Sequence, residues 1–239
     1  MRRRLFHIVT VHPQMVTAAC QVGVFERASR QDKIQYQTVN LRKFAYDDRG
    51  SVDSAPYGGG DGMVMRVDVL ARALRSLSDP GQVIFLSPSG KPFHQQQAQT
   101  LATADSNFTF ICGRFGGVDQ RFVETFVDHE ISLGDYVTAG GELPALVVME
   151  AITRLVPGVL GATDSAARDS FAAEYEGLLE HPQYTRPETF EDQTVPAVLL
   201  SGDHQAIAEW QQRARRQRTQ QRRPDLWQTY LSTSPTKET

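Results

Sequence analysis

The stretch 130–144, Glu-Ile-Ser-Leu-Gly-Asp-Tyr-Val-Thr-Ala-Gly-Gly-Glu-Leu-Pro, constrains this chain more than any other. Short apolar stubs (Ile131, Leu133, then Tyr136 and Val137) are broken by Gly134, and the Gly140-Gly141 pair stands directly before a helix opened by Pro144. Glycines set this tightly mean that the chain takes φ > 0, or that another backbone or a ligand comes too close for a Cβ. Proline at a first helical position predicts a helix over 144–156. Its residues are apolar on nearly all sides, which places it in a core or in an interface between subunits.

The 239 residues give room for one sizeable domain and a smaller one. A hydrophobic share of 40% and a charged share of 22% fit a water-soluble globular chain. No apolar run approaches the roughly 18 residues of a spanning helix, and no secretory core follows Arg2-Arg3-Arg4, so a cytoplasmic protein with no membrane partner is expected. Two cysteines, Cys20 and Cys112, make neither a disulfide framework nor a cysteine zinc site. The histidines show no metal spacing, so no metal ligands are assigned. Net charge is −3, yet Arg213, Arg215, Arg216, Arg218, Arg222 and Arg223 fall in one acid-free stretch rich in glutamine. A solvated helix face normally mixes signs, so this stretch points to an anionic partner.

Apolar periodicity predicts strands over 5–11, 33–39, 83–86 and 108–112. Helices are expected from Pro13 with an interruption at Gly23, and over 67–77, 94–104 and 119–126. Residues 40–65 read as a loop centred on Tyr57-Gly58-Gly59-Gly60-Asp61-Gly62. Strands alternating with helices imply an α/β fold with a mainly parallel sheet, whose sites lie where loops leave the carboxyl ends of strands. Three such loops, 87–90, 113–117 and 133–141, would form one glycine-walled pocket if they converge. Residues 162–173 have the composition of a linker, Asp203 caps a helix through about residue 217, Pro224 begins a last turn or helix, and the tail is frayed. The expected division is a domain over 1–160, a flexible linker over 161–174 and a helical domain over 175–239.

Neither the 58–62 nor the 113–117 glycines have the spacing of a P-loop or a dinucleotide fingerprint. The motifs instead form an ordered set: Pro56-Tyr-Gly-Gly-Gly-Asp-Gly-Met63, Leu86-Ser-Pro88, Cys112-Gly-Arg114, Ile131-Ser-Leu-Gly-Asp-Tyr-Val137 with Gly140-Gly-Glu-Leu-Pro144, and Pro157-Gly-Val-Leu-Gly161. Asp169-Ser-Phe171, Gly177-Leu-Leu179, Tyr184-Thr-Arg-Pro187, Val198-Leu-Leu-Ser-Gly202 and Arg222-Arg-Pro-Asp-Leu226 continue it. Together they resemble the bacterial tRNA (guanine-N1)-methyltransferases of the TrmD type over nearly the whole chain.

The resemblance implies a SPOUT-class α/β fold with a deep trefoil knot, followed by a small helical C-terminal domain that binds tRNA. It implies a homodimer, S-adenosylmethionine as methyl donor and Mg²⁺. The cofactor would be held by backbone around Gly113 and by Leu133, Gly134, Asp135, Tyr136, Val137 and Thr138, with Leu86, Ser87, Gly140 and Gly141 nearby. The six arginines would meet tRNA phosphates. The implied reaction is methylation of N1 of guanosine at tRNA position 37. N1 carries a proton in neutral guanine, so a general base is required, and a cationic donor at O6 lowers the barrier. The family places these roles on positions matching Asp169 and Arg154. Read without the resemblance, Arg154 is a helix partner for Glu150 and Asp169 a linker acid or cap. One position departs from the pattern: Gly116 stands where the family usually has Glu. Asp61 and Gln183 are milder changes. A knotted RNA-binding protein with weakened or lost turnover, or a SPOUT methyltransferase for another RNA, stay open as alternatives.

Overall fold

The computed structural model describes residues 3–160 and 169–233. The chain divides into two compact units, the first ending at Gly161.

The first unit runs β1 (Arg4–Thr10), α1 (Pro13–Cys20), α2 (Gly23–Arg30), β2 (Ile34–Asn40), a 3-10 turn (Leu41–Phe44), β3 (Asp53–Ser54), β4 (Val64–Met65), α3 (Val67–Arg75), β5 (Gln82–Pro92), α4 (Gln95–Thr103), β6 (Phe108–Ile111), α5 (Gln120–Phe126), β7 (His129–Ser132) and α6 (Glu142–Arg154). Five strands form one parallel sheet in the order β2-β1-β6-β5-β7. The central strands are apolar nearly end to end because helices cover both faces, as parallel sheets require. Successive side chains point to opposite faces, and the core divides accordingly. Phe6, Ile8, Ile84, Phe108 and Phe110 pack with α1, α2, α4 and α6 residues such as Val16, Ala28, Leu101, Val148 and Ile152. Val9, Val83, Phe85 and Ile111 pack on the other face with Val69, Leu70 and Leu74 of α3 and Phe122 of α5.

Several sequence expectations change in detail. The strand expected to end at Leu86 continues to Pro92, because Lys91 and Pro92 pair with Ile131 and Ser132 after an irregularity in register. Gly90 makes this possible: a Cβ there would lie 2.4 Å from the Ile131 amide nitrogen. The helix expected from Pro144 starts at Glu142, so Pro144 sits in the first turn, where its missing N–H has no intrahelical acceptor to lose. Of the apolar stubs, Ile131 is buried in β7, while Tyr136 and Val137 lie exposed in the loop after it. The loop over 40–65 contains the short antiparallel pair β3–β4. On α6, Ala145, Val148, Met149 and Ile152 are buried, while Leu143 and Val147 are 54% and 52% exposed.

In the second unit, residues from Asp169 onward fold back on themselves. The Phe171 amide donates to the Leu178 carbonyl and the Glu180 amide to Ser170 Oγ. A hairpin of β8 (Thr189–Phe190) and β9 (Gln193–Thr194) precedes α7 (His204–Arg222) and α8 (Pro224–Thr233). Asp203 caps α7 by accepting from the Gln205 and Ala206 amides, and the helix runs one turn beyond the expected end. Buried Thr219 ties α7 to the preceding chain by accepting from the Leu179 amide at 3.0 Å.

Candidate functional site

The carboxyl ends of β5, β6 and β7 lie side by side, and the loops that leave them wall a cavity of about 440 Å³. This size suits a small organic ligand. Leu86, Ser87, Gly113, Leu133, Gly134, Tyr136, Val137, Thr138, Gly140 and Gly141 all line it; Asp135 does not. Among the lining residues outside the three loops that the sequence singled out are Phe85 and Glu130.

The glycines explain how the loops come so close. A Cβ on Gly141 would stand 2.8 Å from Cys112 Cα and 2.9 Å from the Gly113 nitrogen, so the loop after β7 lies directly on the loop after β6. The Gly141 amide donates to the Gly113 carbonyl at 2.9 Å, and Arg114 and Gly140 form an antiparallel bridge. Gly134 has φ of 148°, and Thr138 Oγ1 donates to the Gly140 carbonyl, which closes the second loop on itself. Gly116 faces a third segment: its amide donates to the Met63 carbonyl at 2.6 Å. The Met65 amide donates to the Gly117 carbonyl, which anchors the glycine-rich 57–62 loop beside the cavity wall.

Behind the wall sits an ionic network. Glu142, fully buried, accepts from Arg114 Nε at 2.9 Å and Nη2 at 2.8 Å, and from Thr10 Oγ1 at 2.7 Å. The Cys112 thiol alongside is pushed well up from its ordinary range by burial, with the Glu142 charge adding to the effect. Such a thiol is a packing group rather than a nucleophile. The sequence offered a signal for Glu142, an acid immediately after Gly-Gly at the head of an apolar helix, but nothing in it names the partner.

Arg154 ends α6, half-buried, and Asp169 is half-buried in the second unit. The six arginines do not form one uniform face. Arg215 stacks over the Tyr175 ring at 4.1 Å, Arg223 donates to Asp225 at 2.8 Å, and Arg216 Nε is buried without a partner among the described residues. Arg213 is exposed 4.0 Å from Glu209, Arg218 is half-buried and Arg222 is exposed. Among the described residues, no group of three or more His, Cys, Asp or Glu side chains is placed to hold a metal ion, and no helix is long and apolar enough to cross a membrane.

A parallel α/β sheet that gathers three strand-end loops around one cavity belongs to the open-sheet class that binds small molecules at its carboxyl edge. The particular family follows from comparison. The family model described as tRNA (Guanine-1)-methyltransferase TrmD matches residues 4–229. A tRNA (guanine-N(1)-)-methyltransferase of Alcanivorax borkumensis is 47% identical over 97% of this chain and 88% of its own length. Those of a Chelativorans species and of Microcystis aeruginosa are 46% and 42% identical, over 93% and 95% of this chain and 94% and 97% of theirs. The chain belongs to the TrmD family, a SPOUT-class α/β family.

Proposed function

We propose that the chain methylates N1 of guanosine at position 37 of tRNA, in the cytoplasm, with S-adenosylmethionine as methyl donor. The observation that carries this reading is family membership over nearly the whole chain, joined to a glycine-walled cavity built from the family's own motif loops. Nothing in the fold or the comparisons favours a non-catalytic RNA-binding protein or a different RNA substrate.

The cavity fits the cofactor's chemistry. Backbone groups of the 133–140 loop, with the Ser87 hydroxyl, offer polar edges to an adenosine. The absence of Cβ atoms at Gly113, Gly134, Gly140 and Gly141 lets Phe85, Tyr136, Arg114 and the Cys112–Gly113 backbone close in, which gives the cavity its shape. When bound, S-adenosylmethionine supplies an electrophilic methyl group on a sulfonium.

The chain's own residues do the rest. Asp169 accepts the guanine N1 proton, which makes that nitrogen nucleophilic, and Arg154 donates to O6 as negative charge gathers there. Arg213, Arg218 and Arg222 meet tRNA phosphates, while Arg215, Arg216 and Arg223 shape the unit that presents them.

A deep trefoil knot belongs to this reading. The close backbone approach of Gly141 to Cys112–Gly113, which sets the loop after β7 against the loop after β6, is in keeping with it. A homodimer also belongs to it. Leu143 and Val147 leave an apolar strip open on α6, next to exposed Tyr136 and Val137 in sequence, and a second copy would cover it.

The test is methyl transfer from labelled S-adenosylmethionine to tRNA transcripts carrying guanosine or adenosine at position 37, with the product nucleoside identified. The expected product is 1-methylguanosine, formed only on the guanosine transcript. Label on another base or position would overturn the assignment.

A further inference from the structure

The Arg114–Glu142–Thr10 network is more elaborate than stability requires. Removing a carboxylate and a guanidinium from water costs several kcal/mol per ion, and a buried pair of this kind is often no more stabilising than apolar residues of the same volume. Its placement gives it another use. Thr10 closes β1, Arg114 belongs to the loop after β6, and Glu142 opens α6 directly after the loop that follows β7. The Arg114 side chain arches over Gly140 so closely that a Cβ there would lie 2.1 Å from Arg114 Nε. Its Nη1 donates to the Ala139 carbonyl at 3.2 Å, while its own backbone amide is held by Met65 Sδ at 3.1 Å. Glu142 is fixed in turn by Thr10, whose Oγ1 also accepts from the His12 amide. The carboxylate stands in the first turn of α6, where the helix dipole favours negative charge.

We propose that Arg114 and Glu142 are positioning residues that lock the two glycine loops of the cavity, 113–117 and 133–141, at a fixed separation. Arg114 reaches the cavity wall and Glu142 stands buried behind it, and together they set the shape against which the cofactor bends. Misplacement of a bound reactant by about 1 Å costs on the order of 100-fold in rate, so a strut that holds the wall acts on the rate as well as on the fold. This inference rests on the cofactor reading above.

The experiment compares wild type with Glu142→Ala, Glu142→Gln and the double variant Arg114→Met/Glu142→Leu. Three quantities are read: thermal unfolding midpoint, calorimetric affinity for S-adenosylhomocysteine, and single-turnover methyl transfer at saturating cofactor and tRNA. Glu142→Ala leaves Arg114 buried and unpaired, so all three fall. The double variant recovers its unfolding midpoint because no charge is stranded. It still binds S-adenosylhomocysteine about 10-fold or more weakly and transfers methyl about 10–100-fold more slowly, because nothing holds the loops. Glu142→Gln keeps the shape but has one acceptor oxygen for three donors. It therefore folds and shows the same two losses to a smaller degree, which keeps the inference testable if the double variant does not fold. A folded double variant, or a folded Glu142→Gln, with wild-type affinity and rate would overturn it. A wild-type chain that binds no S-adenosylhomocysteine would overturn the cofactor reading itself, a result separate from equal binding by all variants.

Discussion

The Gly116 amide lies 2.6 Å from the Met63 carbonyl oxygen, and a Cβ built on Gly116 would come within 2.9 Å of that same oxygen. Gly116, where the resemblance leads one to expect Glu, is thus the point at which the segment after the 57–62 glycines docks on the cavity wall. The obstructing atom is backbone, so a side chain cannot be accommodated by a rotamer change. Gly116→Glu is expected to push the segment outward and destabilise the chain by about 1–3 kcal/mol, the usual range for overpacking. Urea unfolding of both proteins checks this; an unchanged midpoint would mean that the segment yields without cost.

Gly141→Ala is a sharper test of the wall. The added methyl meets Cys112 Cα at 2.8 Å and the Gly113 nitrogen at 2.9 Å, both backbone atoms. The two loops must separate, and S-adenosylhomocysteine affinity is expected to fall at least 10-fold. Calorimetric titration of a variant shown to be folded decides it, and wild-type affinity would move the cofactor elsewhere.

Asp169→Asn addresses the proton. Asparagine preserves shape but cannot take the guanine N1 proton as a carboxylate does. Single-turnover methylation is expected to drop roughly 10²–10⁴-fold with cofactor binding nearly intact. Equal rates would assign the base to another residue.

For tRNA, the arginine arrangement selects the variants. Arg215 stacks on Tyr175 and Arg223 is paired with Asp225, so replacing them mixes binding with folding. Arg218→Gln with Arg222→Gln is the cleaner choice. Each lost phosphate contact is expected to weaken binding and reduce the slope of log affinity against log salt by about 1. Filter binding over a salt series reads it; an unaltered slope would return this face to solvent.

His7 gives the chain a pH dependence of its own. Buried on β1, it places Nε2 3.2 Å from the Asp79 carbonyl, and Nδ1 has no partner among the described residues. Burial holds its pKa below the ordinary histidine range, partly offset by the Asp79 carbonyl and charge. The unfolded chain therefore takes up a proton at His7 before the folded chain does. The associated stability is complete above the unfolded histidine value of about 6.5 and is lost as pH falls below it. The unfolding midpoint of wild type should decline from pH 7.5 to 5, and His7→Gln should flatten part of that decline. Parallel curves would place the sensitivity on other groups.

Much of this architecture was readable from residues. The strands around 83–86 and 108–112 are largely apolar runs, as a sheet covered on both faces demands, and the second gives way to glycine where the cavity begins. Local rules failed where a distant segment intervened. Ser87-Pro88-Ser89-Gly90 has the composition of a turn, and only the Ile131 backbone lying against Gly90 draws β5 on to Pro92. Pro144 marked a helix start but not its first residue, because the first turn of a helix tolerates proline at more than one position. Nothing in the local sequence shows that Glu142 is buried and paired, since its partners Thr10 and Arg114 are remote in sequence. Asp135, which the resemblance groups with the cofactor-holding residues 133–138, is the one residue of that run that does not line the cavity.

The strand order has a consequence for how this chain comes into being. The Leu5 amide bonds to Asn107 Oδ1 across 102 residues, and Phe6 to Val9 of β1 pair with Phe108 to Ile111 of β6. Until β6 leaves the ribosome, β1 has only β2 beside it, and the apolar flank later taken by Phe108 and Phe110 is bare. Distant parallel pairing incurs its loop-closure entropy before any contact returns it, which slows such sheets and exposes them to misassociation. The cavity walls come from β5, β6 and β7, the last strands of the sheet to be synthesised. A nascent chain therefore acquires its ligand pocket only at the close of first-unit folding, and a ligand has nothing to hold in any shorter fragment.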